Sequence, residues 1–215
     1  MAERAAVGIT VKSGWACAVV IGGSPASPRV LDIRRLELSD PARPEARQPY
    51  HDGFGTARRD GPALSRLVAS VERFGSRTMD AALAEYTAAH RHLGGVGIVV
   101  GSLIDPDTLG SSHVRIHALE GRLFRTIVSN AAERAGLRYV VYRERDLLAA
   151  AASTFDRSPS RIRETLNAIG RSREGPWRAE HKAAALAGWM MLEVKRGVNV
   201  QCSMVKTTES FSIAH

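Results

Sequence analysis

Apolar residues alternate with small or polar ones from residue 6 to residue 21, and the alternation breaks only at residues 12–14. The break reads Lys-Ser-Gly. Period-two alternation on both sides of a Ser-Gly turn predicts a β-hairpin. A third strand is predicted over residues 29–38, where β-branched and apolar residues recur. The rest of the chain is therefore expected to build on a three-stranded antiparallel meander.

After this meander, helical and strand patterns follow each other in turn. A continuous apolar run at residues 96–100 predicts a strand that is covered on both faces. This order predicts an α/β fold with a mixed sheet, in which three antiparallel strands precede two strands reached through helical crossovers. Helical spacing of apolar residues predicts a first helix from residue 60 to 92, with a bend or break at residues 75–76. The same spacing predicts helices over residues 111–136, 146–155, 158–169 and 175–195. A second crossover strand is predicted over residues 138–142.

A segment rich in proline and glycine separates the meander from the first helix. Residues 39–62 hold four prolines and three glycines, so they predict a long surface loop. Tyr50, His51, Asp52 and Phe54 are its residues that could contact a ligand. The domain prediction is a single domain over residues 1–197 with this loop as an insertion, followed by a tail over residues 198–215.

The balance of charge favours an acidic partner. The net charge is +8 and the pI is about 10.2, which makes nucleic acid the first partner to consider. The alternative is a generally Arg-rich protein whose charge has no functional meaning. Residues 157–196 contain nine Lys or Arg against four Asp or Glu, and the candidate nucleic-acid-binding residues are Arg157, Arg161, Arg171, Arg173, Arg178 and Lys182.

The remaining composition points to a cytoplasmic protein. The N-terminus has no apolar signal-peptide core, and no apolar run approaches the ~20 residues that a membrane span needs. Cys17 and Cys202 are too few for a disulfide framework. Neither a membrane nor a bound cofactor is therefore expected.

Four segments resemble the RuvC-type resolvases of the ribonuclease-H-like superfamily. Residues 8–13 read Gly-Ile-Thr-Val-Lys-Ser, where that family's first hairpin runs Gly-Ile-Asp-x-Gly-Ser. Residues 119–122 and 131–140 resemble the family's helix–strand unit, and residues 179–191 resemble its Ala-rich final helix. The resemblance extends in topology over residues 5–195 and implies a ribonuclease-H-like fold.

The same resemblance implies two-metal hydrolysis of a phosphodiester, which needs carboxylates that converge on two Mg²⁺ ions. Here the first-strand acid is replaced by Thr10. The place at the end of the fourth strand falls near Gly101 or Ser102, and only Glu180 offers an acid at the final helix. The catalytic set therefore looks degraded, and the expected function is a non-catalytic protein of this fold that binds nucleic acid or serves assembly.

Two other functions stay open from the sequence. An active Mg²⁺-dependent nuclease could use relocated carboxylates, namely Asp105, Asp107, Glu120 and Glu180, although an Asp-Pro-Asp sequence is also typical of a turn. An actin-like phosphate-binding module could present the turn at residues 12–14 to a nucleotide, but 215 residues hold only one such domain. A homodimer is compatible with either.

One helix carries a further constellation. His113, His117 and Glu120 follow i, i+4, i+7 spacing, so they share one helix face. Three such side chains could bind a metal ion, but the sequence favours a solvated polar face.

Overall fold

The computed structural model describes residues 4–53, 56–90, 92–171 and 175–193. Five strands form one sheet in the order β3-β2-β1-β4-β5. The first three strands are antiparallel, β4 is parallel to β1, and β5 is parallel to β4. The predicted mixed sheet is confirmed. The strands are β1 (Ala5–Lys12), β2 (Trp15–Ser24), β3 (Ser27–Glu37), β4 (Leu93–Val100) and β5 (Tyr139–Arg143).

Helices cover both faces of this sheet, because alternate residues of β1 and β2 face two separate apolar clusters. Helices α1 and α2 pack on one face, and α3, α4 and α5 pack on the other. No helix among the described residues is long and apolar enough to cross a membrane. The helices are α1 (Pro62–Ala89), α2 (Ser112–Arg134), α3 (Leu147–Phe155), α4 (Pro159–Arg171) and α5 (Ala179–Glu193).

The break expected at residues 75–76 is wrong, because α1 is continuous for 28 residues. Gly75 is buried, and a side chain there would begin 2.8 Å from the carbonyl oxygen of Leu38. This glycine lets α1 approach the chain that leaves β3, so it serves packing rather than helix termination. The predicted tail, Phe54 and Arg173 lie outside the described residues.

Helix α5 is the most enclosed element of the fold. Residues 183–192 are all buried, whereas the sequence predicted a single apolar stripe. The helix lies across β1, β2 and β4 on one side, and α3 and α4 cover its other side. Close approach is possible because glycines face each other, Gly8 in β1 and Gly188 in α5.

Three weak acids, the buried Cys17 and Tyr86 and the half-buried Tyr142, predict that the fold loses stability in alkali. Burial raises the pKa of the Cys17 thiol from 9.0 to about 12, and burial raises the pKa of Tyr86 and of Tyr142 from 10.0 to about 12. Above about pH 9 the unfolded chain releases these protons while the folded chain keeps them. The free energy of unfolding therefore falls as pH rises toward 12.

Urea unfolding at about pH 8 and about pH 11 measures this effect, with a lower midpoint expected at the higher pH. The Cys17→Ala variant removes one of the three groups, so it should show a smaller decrease. An unchanged midpoint between the two pH values would contradict the prediction.

Candidate functional site

The end of β1 is the place where the resemblance puts the first metal-binding acid. Thr10 is 1% exposed and lies on the face of the sheet that meets α5. Its hydroxyl donates a hydrogen bond to the main-chain oxygen of Glu180 at 3.0 Å. A neutral contact between β1 and α5 therefore occupies this position.

The neighbouring strand contributes no acid here. Val99 of β4 pairs with Thr10, and the strand ends at Val100. The exposed Ser102 follows, and its hydroxyl accepts a hydrogen bond from the Ile104 N–H at 3.1 Å. Glu180 is thus the one carboxylate at the three places that the resemblance assigns. These residues do not fit a pair of Mg²⁺ ions, which need several carboxylate oxygens.

Asp105 and Asp107 form the turn that the sequence offered as an alternative. The Asp105 carboxylate accepts the Asp107 N–H at 3.1 Å, and Pro106–Thr108 form one 3-10 turn. Both side chains face Arg122 of α2, which lies 3.0 Å from Asp107 Oδ2 and 3.6 Å from Asp105 Oδ1. The loop after β4 therefore contacts α2 through the ion pairs of Asp105 and Asp107 with Arg122.

The structure does not bring the four predicted carboxylates together. Glu120 belongs to α2 on one face of the sheet, and Glu180 belongs to α5 on the other. Among the described residues, one group of three acidic or histidine side chains is close enough to hold a metal ion, and Glu120 is its only carboxylate. The actin-like alternative would present the turn at residues 12–14 to a nucleotide. In the structure Lys12 of this turn forms an ion pair, with its Nζ 3.1 Å from Glu144 Oε2.

That group consists of His51, His117 and Glu120. Glu120 is 1% exposed, and its Oε1 lies 2.8 Å from Nδ1 of His51. Its second oxygen, Oε2, is buried and has no hydrogen-bond partner. The His117 ring centroid lies 4.9 Å from that of His51, and the ring of His113 lies 4.8 Å from that of His117. One ligand atom from each of the three residues falls within 4.8 Å of the other two.

The helix positions Glu120 because it occupies the core-facing stripe of α2. It follows the buried Ile116 by four residues and precedes the buried Leu123 by three. The expectation of a solvated polar face is therefore wrong for Glu120, although His113 and His117 are exposed. A carboxylate on an apolar stripe is the sequence signal that identifies this site.

The loop between β3 and α1 brings His51 to this helix. Residues 51 and 57 form an isolated antiparallel bridge, and the Asp52 N–H donates to the Thr56 oxygen at 2.8 Å. Arg58 then clamps the loop: its Nε donates to the Pro49 oxygen at 3.1 Å, and its Nη2 donates to the His51 oxygen at 2.9 Å. The loop was predicted to offer His51 to a ligand, but its contact with Glu120, 69 residues later, has no local signal.

Burial dominates the electrostatics of the cluster. It raises the pKa of Glu120, and the contact with His51 and the main chain of Tyr50 act in the opposite direction. Burial also lowers the pKa of His117, and His51 and His113 lower it further. His117 therefore favours the neutral form, in which an imidazole nitrogen can bind a cation.

The predicted basic residues spread over the side of the protein formed by α3, α4 and α5. Arg157 precedes α4, and its guanidinium lies 5.9 Å from the Trp189 ring centroid. Arg161 lies on the exposed face of α4, and its Nη1 is 3.3 Å from Glu164 Oε2. Arg171 is the last residue of the helix. Arg178 and Lys182 lie at the start of α5.

Trp177, which precedes Arg178 in the sequence, is engaged within the fold. Its indole N–H donates to the Leu166 oxygen at 2.9 Å, and its ring stacks on His181. The close contact with Gly170 fixes it between α4 and α5. Trp177 thus joins the two helices that carry the predicted basic residues.

No protein-family model and no curated protein sequence matches this chain. Solved structures do match it. RuvC from Thermus thermophilus, in a complex with Holliday junction substrate, aligns with a TM-score of 0.51 at 13% identity over 87% of this chain and 91% of RuvC. A second T. thermophilus RuvC structure gives the same TM-score and identity, covering 87% of this chain and 92% of RuvC. The yeast mitochondrial Holliday junction resolvase Ydc2 aligns with a TM-score of 0.38 at 7% identity over 87% of this chain and 78% of Ydc2.

The chain therefore has a ribonuclease-H-like fold of the RuvC type, as its sequence predicts. At 13% identity, the similarity to RuvC describes a shared fold and not a shared activity.

Proposed function

We propose that this protein binds nucleic acid on a ribonuclease-H-like scaffold and does not cleave it by two-metal hydrolysis. The observation that carries the proposal is the hydrogen bond between the Thr10 hydroxyl and the Glu180 main chain. It joins β1 to α5 where such chemistry would need converging carboxylates. Asp105 and Asp107 offer no replacement there, because both are paired with Arg122.

Charge and fold support nucleic acid as the partner. The chain carries a net charge of +8, and one of the similar solved structures is RuvC in complex with Holliday junction substrate. Arg161 and Arg171 lie ten residues apart on α4, which corresponds to a rise of about 15 Å. Both side chains are exposed, and Arg side chains bind backbone phosphates in bidentate fashion.

Arg178 and Lys182 extend this basic surface toward the ends of β1 and β4. Both lie within four residues of Glu180 on α5. The proposed nucleic-acid surface therefore consists of Arg157, Arg161, Arg171, Arg178 and Lys182. Contacts of this type set affinity and position without reading base sequence.

Fluorescence anisotropy with branched and linear DNA and with RNA tests this surface. We expect the binding constant to fall steeply between about 50 and 200 mM salt. Arg157→Ala and Arg171→Ala should each weaken binding and reduce the salt slope by about 1. Arg134→Ala is the matched control, since Arg134 is paired with Asp80 of α1 on the other face of the sheet.

Absent binding, binding that does not respond to salt, or equal losses in the Arg134 control would contradict the nucleic-acid surface. The non-catalytic part has its own readout. Incubation of the same substrates with Mg²⁺ should leave them intact, and cleavage that Glu180→Ala abolishes would contradict it.

A further inference from the structure

We propose that His51, His117 and Glu120 form a binding site for one divalent transition-metal ion of the zinc class. The site lies between α2 and the loop that joins β3 to α1. Thr10 and the basic residues of α4 and α5 are on the opposite face of the sheet. Metal binding here and nucleic-acid binding there can therefore fail independently.

The spacing of the three side chains suits one ion. Ligand atoms around a tetrahedral Zn²⁺ lie about 3.3 Å apart, since each is about 2.0–2.1 Å from the metal. In the protein one ligand atom from each residue lies within 4.8 Å of the others, and His51 Nδ1 is 2.8 Å from Glu120 Oε1. A bound ion would take the place of the proton that His51 Nδ1 and Glu120 Oε1 share in their hydrogen bond.

The unpartnered oxygen of Glu120 is the second, independent observation. A carboxylate that is 1% exposed is costly to bury, and one of its oxygens accepts no hydrogen bond. Apolar side chains precede and follow it on the same stripe of α2, so packing alone favours a hydrophobic residue at this position. A cation between Glu120 and the two histidines would satisfy the buried charge.

The donor set selects the type of ion. Two imidazoles and one carboxylate suit Zn²⁺ and related first-row ions, whereas Mg²⁺ prefers oxygen ligands and retains water. Three protein ligands leave a fourth position, as in zinc sites that bind water or substrate. His117 is exposed, so a bound ion is accessible from solvent.

Arg58 is a positioning residue for this site. Its guanidinium bonds the main-chain oxygens of Pro49 and His51, so it holds the loop that carries one ligand. It contributes no ligand atom. We expect Arg58→Ala to weaken metal binding by about 10-fold, the range seen when the support of a ligand is removed.

The test uses the full chain without an affinity tag, after metal has been removed by chelation and dialysis. Titration with Zn²⁺ should show one high-affinity site per chain, and millimolar Mg²⁺ should not compete. Co²⁺ should give the visible absorption of a tetrahedral site. Zn²⁺ at 100 times its Kd should raise Tm by about 5–10 °C.

Variants separate this site from other metal-binding groups. His117→Ala is the main variant, because His117 is exposed and its removal leaves the core intact. His117→Ala, His51→Ala and Glu120→Gln should each lower Zn²⁺ affinity by at least about 100-fold, and Glu120→Gln keeps the shape of the side chain. His92→Ala is the matched control, since His92 is exposed and precedes β4. The Cys202→Ser/His215→Ala double variant controls for the C-terminal residues.

Three results would overturn the proposal. The first is the absence of stoichiometric Zn²⁺ binding in the wild-type chain. The second is equal affinity in the wild type and in His117→Ala. The third is a loss of binding in the Cys202→Ser/His215→Ala control that matches the loss in His51→Ala.

Discussion

Replacing Gly8 by Ala is expected to abolish the cooperative folded state or to lower the free energy of unfolding by more than about 4 kcal/mol, an exceptional loss for one methyl group. A Cβ at this position would lie 1.6 Å from the Ala184 carbonyl oxygen and 2.6 Å from the Gly188 nitrogen. Both atoms belong to the main chain of α5, so no side-chain rotation relieves the overlap. The helix would have to move away from β1.

Such a movement disturbs the second apolar cluster as a whole. Residues 183–192 of α5 are buried between the sheet and helices α3 and α4. Close-packed interiors do not absorb an added methyl group without strain. Since domains are stable by only about 5–15 kcal/mol, this one contact decides whether the protein folds.

Gly121→Ala provides the matched control for a glycine replaced by alanine. Gly121 lies in α2 and is exposed, and apart from its chain neighbours and the nearby backbone of its own helix, nothing lies within 4 Å of where its Cβ would be. Alanine is the better helix former by about 1 kcal/mol, so this variant should be more stable than the wild type. Urea unfolding followed by circular dichroism measures both. A Gly8→Ala protein with an unchanged midpoint would show that α5 does not rest on β1 as described.

The periodicity of the sequence was sufficient for most of the fold. Alternation over residues 6–21 predicted β1 and β2, and the apolar run at 96–100 predicted the central strand β4. The pattern failed where packing overrides local preference. Gly75 looks like a helix breaker, yet it is the residue that lets α1 pass close to Leu38.

The candidate sites show a similar division. Thr10 could be identified as the substituted acid because residues 8–13 resemble the family's Gly-Ile-Asp-x-Gly-Ser hairpin, in which Thr10 takes the place of the Asp. The partner of Glu120 could not be identified, because His51 reaches it through a loop 69 residues earlier in the chain. What the sequence did contain was a carboxylate between Ile116 and Leu123 on an apolar stripe, which marks a buried charge that needs a partner.

Thr10→Asp is expected to lower the free energy of unfolding by about 3 kcal/mol, because it buries a charge without a partner. The Thr10 hydroxyl donates to the Glu180 main-chain oxygen at a site that is 1% exposed. An aspartate in its place would set a carboxylate against that oxygen, and both groups accept hydrogen bonds. The side chain of Glu180, the residue whose main chain accepts this hydrogen bond, adds a like charge in the first turn of α5.

Thr10→Val separates the loss of a hydrogen bond from the burial of charge. It removes the donor without adding an acid, so it should cost only about 1 kcal/mol. Urea unfolding of the two variants, with and without millimolar Mg²⁺, measures the difference. Mg²⁺ should not restore Thr10→Asp, because β4 supplies no second carboxylate, and Asp105 and Asp107 in the turn that follows are paired with Arg122. Stabilisation of Thr10→Asp but not of Thr10→Val by Mg²⁺ would show that the scaffold retains a latent two-metal centre. Cleavage of DNA by Thr10→Asp would show the same. The non-catalytic function proposed above would then rest on a single substitution.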